Sequence, residues 1–176
     1  MTASPYSRAP VAVELCGVRI VVPYRSAAEW VAVLGSAQDP ATLLLNLARE
    51  ATRESVLNEL VTGEITAKQL TDASYELMKA AVPGFHWWET YRLLDVSATH
   101  NVAGRATLAG LDPWALTAAQ WCSAIYVMLR ENTDDSGRLK FDHALSTPPL
   151  GVEDDGWGDM SMNEMVNAAR SMPGMG

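Results

Sequence analysis

Three copies of one short signal divide this chain into helices. Ser26-Ala27-Ala28-Glu29, Thr66-Ala67-Lys68-Gln69 and Thr117-Ala118-Ala119-Gln120 each place a hydroxyl three residues ahead of a Glu or Gln. In that pattern the hydroxyl takes a backbone N–H in the first turn, and the Glu or Gln side chain reaches back to the cap. Each box is followed by apolar residues at helical spacing: Trp30, Val33 and Leu34, then Leu70, Ala73, Leu77 and Met78, then Trp121, Ile125 and Met128. Stop signals match the starts, with Gly35, Gly63 and Pro83-Gly84 behind the periodic runs. A chain punctuated this way folds as a bundle of helices, and the reading predicts a mainly α domain of about five to seven.

Other helices follow by the same rules. Asp39-Pro40 supplies an N-cap and a first-turn proline ahead of Leu43, Leu44, Leu45 and Leu47. That segment is compatible with one long helix or with a break before residues 54–61. A helix is expected from Trp87 to about Thr99, and a short one over 139–145. Residues 101–112, interrupted by Gly104 and Gly110, favour no single assignment.

Ahead of all this stand two β-branched runs, Val11-Ala12-Val13-Glu14-Leu15 and Val18-Arg19-Ile20-Val21-Val22, separated only by Cys16-Gly17. Two residues with a glycine between alternating runs predict a β-hairpin. A lone hairpin is marginal in water, so it must pack on the helices or pair with another chain. Residues 1–10 are small, polar and proline-punctuated, and are read as a flexible arm. The organisation expected is thus an arm over 1–10, hairpin plus helical domain over 11–150, and an acidic, Met- and Gly-rich flexible tail over 151–176.

Composition limits the function classes. With 48% hydrophobic and 19% charged residues in 176, the chain has the means to bury a core. No window approaches the roughly 18 apolar residues of a membrane span. The N-terminus shows no apolar stretch behind its basic residue, so no secretory leader is expected. The net charge of −8 and scattered Lys and Arg argue against nucleic acid, whose phosphates call for clustered cations. Cys16 and Cys122 are too few for a disulfide framework and are read as reduced thiols.

Catalytic patterns are missing. His86, His100 and His143 stand apart, with no HExxH or zinc-ligand spacing. Asp72, Asp95, Asp112 and Asp142 each have an ordinary helix or turn reading. No phosphate-binding glycine loop or nucleophile elbow occurs, and Asp134-Asp135-Ser136-Gly137 lacks the closing Glu of a calcium loop. An enzyme is not expected, and neither a metal nor a cofactor is called for.

Six tryptophans are more informative. Trp30, Trp88 and Trp121 lie on apolar stripes and are read as core. Trp87, next to Trp88, points about 100° away from it around a helix. Packing under the hairpin and a place at a protein interface are both open to it. Trp114 and Trp157 stand in loop-like context. Trp87, Trp114 and Trp157 are therefore the candidate partner-binding residues.

The hairpin running into Pro23-Tyr24, then Ala28 and Trp30, the segment Gly84-Phe85-His86-Trp87-Trp88, Gly110-Leu111-Asp112-Pro113, Trp121-Cys122, and Phe141 to Leu145 leading to Pro148-Pro149-Leu150-Gly151 make up a pattern. It resembles the tail assembly chaperones of long-tailed phages of actinobacteria, over roughly residues 11–152. Usage leaning to Ala, Val, Gly and Arg, with three Lys, suits a GC-rich genome. The resemblance implies a non-catalytic protein of the host cell cytoplasm, absent from the mature virion. It would bind the tape measure protein and keep it soluble during tail morphogenesis. The tail tube protein, a frameshifted longer form of the chain itself and a homo-oligomer are further partners it implies. A head–tail connector or tail-completion protein, and a non-viral helical adaptor, are the competing expectations.

Charge is divided unevenly. Residues 1–146 hold 12 basic and 16 acidic groups, while residues 147–176 hold one and five, with five of the eight Met residues. A short amphipathic helix over 161–170 is compatible with that segment. Truncation after Pro149 is expected to leave the helical circular dichroism and the cooperative melt of the full chain intact. A lost or broadened transition would instead make the tail part of the folded body.

Overall fold

The strands and helices were located in a computed structural model, which describes residues 7–36, 41–131, 133–150 and 152. The hairpin pairs β1 (Val11–Leu15) with β2 (Val18–Val22) antiparallel, Leu15 opposite Val18 and Val11 opposite Val22. Cys16 and Gly17 turn the chain with φ of 51° and 81°. Positive φ at both central residues marks a type I′ turn, whose twist matches that of the strands. Val13, Leu15, Ile20 and Val22 face inward and are buried, whereas Glu14, Arg19 and Val21 face out. Of the expected arm, residues 1–6 lie outside the described residues. Arg8 is tied down, donating to the Ala115 carbonyl at 2.8 Å and lying 5.6 Å from the Tyr24 ring centre.

Eight helices follow among the described residues: α1 (Ala27–Ser36), α2 (Ala41–Leu47), α3 (Glu50–Thr62), α4 (Ala67–Ala81), α5 (Trp87–Ser97), α6 (His100–Leu108), α7 (Ala118–Glu131) and α8 (Asp135–Ser146). The fold is mainly α with an N-terminal hairpin, as the sequence predicts. The count passes seven for two reasons. Residues 41–62 break into α2 and α3 at Arg49, whose backbone is extended at φ −68° and ψ 151°. The Arg25 guanidinium occupies the Leu47 carbonyl, at 3.4 and 3.3 Å, where a continuing helix would place an N–H. The unassigned stretch 101–112 forms α6, with Gly104 inside it. α6 closes at Gly110, where φ is 75° and the N–H groups of Gly110 and Leu111 reach back to Thr107 and Ala106. That is the Schellman arrangement, which needs a left-handed residue after the helix. The last helix starts at Asp135 rather than near 139, because the Asp134 carboxylate accepts the Gly137 N–H at 2.7 Å.

All three predicted capping boxes form. Thr66 and Gln69 exchange both bonds. Thr117 accepts the Gln120 N–H at 3.1 Å while Gln120 accepts that of Thr117 at 3.0 Å. At α1, Glu29 accepts from both the N–H and the hydroxyl of Ser26. Burial raises the Glu29 pKa, but the Ser26 hydrogen bonds and the Arg25 charge outweigh it and hold the carboxyl below its usual range. The first two N–H groups of α1 find acceptors far along the chain. Ala27 donates to Leu116 and Ala28 to Pro113, both at 3.0 Å.

The core forms around α4 and α5. α4 presents Leu70, Ala73, Ser74, Leu77 and Met78 as one buried face, against which β1, α2 and α5 pack. α5 in turn carries α1, α6, α7 and α8. Trp30, Trp88 and Trp121 are each 3% exposed, as expected of core residues. Two of the buried indoles place their N–H groups on acceptors, Trp88 on the Ser146 carbonyl at 3.1 Å and Trp121 on the Ser97 hydroxyl at 3.0 Å. The chain's contacts divide it into two units, Met1–Ser146 and Thr147–Gly176.

Two buried hydroxyls make opposite predictions. Ser74 donates to the Leu70 carbonyl and accepts the Leu44 N–H, joining α4 to α2. Thr90 is fully buried and its hydroxyl has no partner among the described residues. Ser74→Ala is expected to lower the unfolding free energy by about 1–2 kcal/mol, while Thr90→Val should leave it unchanged or raise it by about 1 kcal/mol. Urea unfolding followed by tryptophan fluorescence measures both.

Candidate partner-binding surface

Trp87 opens α5 and is half-buried. Its ring stacks on Tyr75 of α4, with centroids 3.6 Å apart and planes 9° from parallel. Trp88 meets it edge-on at 5.7 Å and 86°. His86 stacks on Trp88 at 4.1 Å and caps α5 together with Glu89. Trp87 thus joins α4 to α5 within the body, with one ring face taken by Tyr75.

Trp114 differs. It is 69% exposed and touches no other aromatic ring among the described residues. The loop under it is firmly held: Asp112 accepts the Trp114 N–H at 2.9 Å, and Pro113 and Leu116 accept from the start of α1. An exposed indole on a pinned loop has little freedom to lose when it is covered. Trp157 lies outside the described residues.

The surface also has a feature without a tryptophan. A groove of about 460 Å³ runs between the end of α6 and the outer face of α7, lined by Ala109, Leu111, Ser123, Ala124, Val127, Met128 and Glu131. Leu108, 89% exposed, stands beside Ala109, and Val127 is 47% exposed. The signal for it is a second apolar face on α7. Trp121, Cys122, Ile125 and Tyr126 point inward, Ala124 and Val127 point elsewhere, and Met128 both packs on the core and lines the groove. The opposite wall comes from Ala109 and Leu111, in the turn that closes α6.

α7 is braced from behind. Asp142 of α8 accepts the Tyr126 hydroxyl at 2.9 Å and pairs with Arg130 at 3.1 Å. Burial, with the Asp142 hydrogen bond and charge adding to it, pushes the Tyr126 phenol up to about 12. Arg92 of α5 donates to the Ala144 and Leu145 carbonyls at 2.8 and 2.7 Å, a cation at the end of α8.

Among the described residues, no three His, Cys, Asp or Glu side chains gather as a metal site would require. No helix there is long and apolar enough to cross a membrane. Compared with models of protein families, with curated proteins and with solved structures, the chain matches none.

Cys16 and Cys122 are free, the first exposed in the hairpin turn and the second buried in α7. Burial pushes the Cys122 thiol up to about 12. In the native protein at pH 8 a thiol reagent is expected to modify one cysteine, Cys16, and two after denaturation. Cys122 and Tyr126 both have folded pKa values above their unfolded ones. The stability they contribute is therefore complete below about pH 9 and falls as pH rises toward 12. Thermal melts between pH 8 and 11 should show a decline that starts near pH 9 and is reduced in Cys122→Ala.

Proposed function

We propose that the chain is a non-catalytic tail assembly chaperone, which binds apolar helical segments of a tape measure protein and keeps them soluble while a phage tail is built. The observation that carries this reading is the α6–α7 groove. It is open, its walls are mostly Ala, Leu, Val and Met, Val127 within it is exposed, and Leu108, next to Ala109 in sequence, is a further exposed apolar side chain. An amphipathic helix laid into such a groove buries its apolar face against small and flexible side chains. Met128 adapts to different residues of a long client, as a chaperone that reads no single sequence requires. Glu131 at the rim and the net charge of −8 keep the unoccupied protein soluble and favour clients with flanking Lys or Arg. Trp114, on its pinned loop, is a second anchor for the same kind of client.

Coexpression with a tape measure protein of a long-tailed phage tests the assignment. The client is expected to be soluble with the wild-type chain and to precipitate with the double variant Leu108→Glu, Val127→Glu. Both positions are exposed, so the variant should melt like the wild type. A client that stays soluble with the double variant removes the groove from the reading. One that precipitates even with the wild type removes the chaperone. Mass spectrometry of purified particles should find the protein missing; stoichiometric amounts would make it a connector or completion protein.

A further inference from the structure

The hairpin turn fixes which peptide groups of β2 are spoken for. In a two-residue hairpin the closing pair, here Leu15 and Val18, exchanges both hydrogen bonds, and bonded pairs recur at every second position. Val18, Ile20 and Val22 therefore direct their N–H and C=O groups toward β1. Arg19 and Val21 direct theirs outward, about 7 Å apart. Among the described residues no backbone group pairs with Arg19 or Val21 from that side, and the sheet has only these two strands.

The two strands of the hairpin have different neighbours. β1 packs directly against α4. β2 faces α3 across an open cleft of about 310 Å³, lined by Leu15, Val18, Arg19 and Ile20 on one side and by Ala51, Thr52, Ser55, Val56 and Glu59 on the other. The strand side of the cleft is formed largely by inward-facing residues, so α3 lies beneath the sheet and underlies the place a third strand would take. Val56 is the buried residue of α3, and the small side chains around it leave the shelf low. Arg19 adds a charge. Glu14 stands directly across the ladder from it, yet no ion pair forms between them. Its guanidinium makes no salt bridge among the described residues.

We propose that the outer edge of β2, above the α3 shelf, takes an extended segment of a partner polypeptide as a third β-strand. Backbone groups of Arg19 and Val21 hold the segment. An acidic residue opposite Arg19 meets the unpaired cation, and its two neighbours, pointing to the other face, are small and apolar and fill the cleft. A lone strand suits the place better than a second copy of this chain does. A second copy brings its own α3 under the shared edge, where α3 already lies.

The test is a selection of random linear dodecapeptides displayed on phage against the full chain carrying Leu108→Glu and Val127→Glu, so that groove ligands are not retained. Enriched peptides are expected to carry Asp or Glu flanked by Val, Ala or Thr in alternation. Measured by fluorescence polarisation, their affinity should fall at least tenfold in Val21→Pro, which deletes one outward N–H and no ladder bond to β1. Circular dichroism melts confirm that this variant is folded. Arg19→Glu gives an independent readout, exchanging the preference from acidic peptides to the same peptides with Lys in place of the acid. Failure to enrich any peptide, or enriched peptides whose binding neither variant alters, overturns the proposal. Sedimentation that finds a dimer of the wild type which Val21→Pro dissociates assigns the edge to a second copy and overturns it too.

Discussion

The buried face of α4 is the surface on which the structure depends. Leu70, Ala73, Leu77 and Met78 are 4% exposed or less, and three separate elements, β1, α2 and α5, rest on them. None of the three is self-sufficient. A two-stranded hairpin is marginal alone, and α2, of seven residues, is too short to hold its own turns in water. Each large apolar side chain buried there contributes roughly 1.5–3 kcal/mol, and the three elements share the same residues as their support. Ser74, at the centre of the face, adds a directed bond to Leu44 that sets how α2 lies across it.

Local chemistry was legible where it depends on residues close in sequence. The three capping boxes, the Cys16-Gly17 turn and the register it imposes, and the inward aromatic stripes through Trp30, Trp88 and Trp121 all follow from spacing within a few residues. Less legible were features decided by distant partners. Arg25 ends α2 by taking the Leu47 carbonyl from twenty-two residues away. α6 is held by its α7 neighbour and a Schellman close despite an interior glycine, and period alone cannot weigh that support. The candidate surface divides the same way. Trp114 is exposed because Asp112-Pro113 builds a turn under it, whereas the fate of Trp87 hangs on Tyr75, twelve residues back on another helix. The groove has no sequence signature beyond a second apolar face on α7, since its other wall is the turn after α6.

The two surfaces proposed for partners use different physics. The α6–α7 groove offers apolar area and tolerates many sequences, because burial is not directional. The β2 edge offers hydrogen-bond groups at fixed spacing and one unpaired cation, and so selects for backbone extension and for charge.

The start of α1 depends on a part of the chain not yet made when α1 leaves the ribosome. Two of its opening amides rest on the carbonyls of Pro113 and Leu116, some ninety residues downstream. Until that loop arrives, those amides stay with water and the helix frays from its first turn. The bridge between Ser26 and Thr117 lies at the same place, so the first turn of α1 has all its partners only in a chain that extends to that loop.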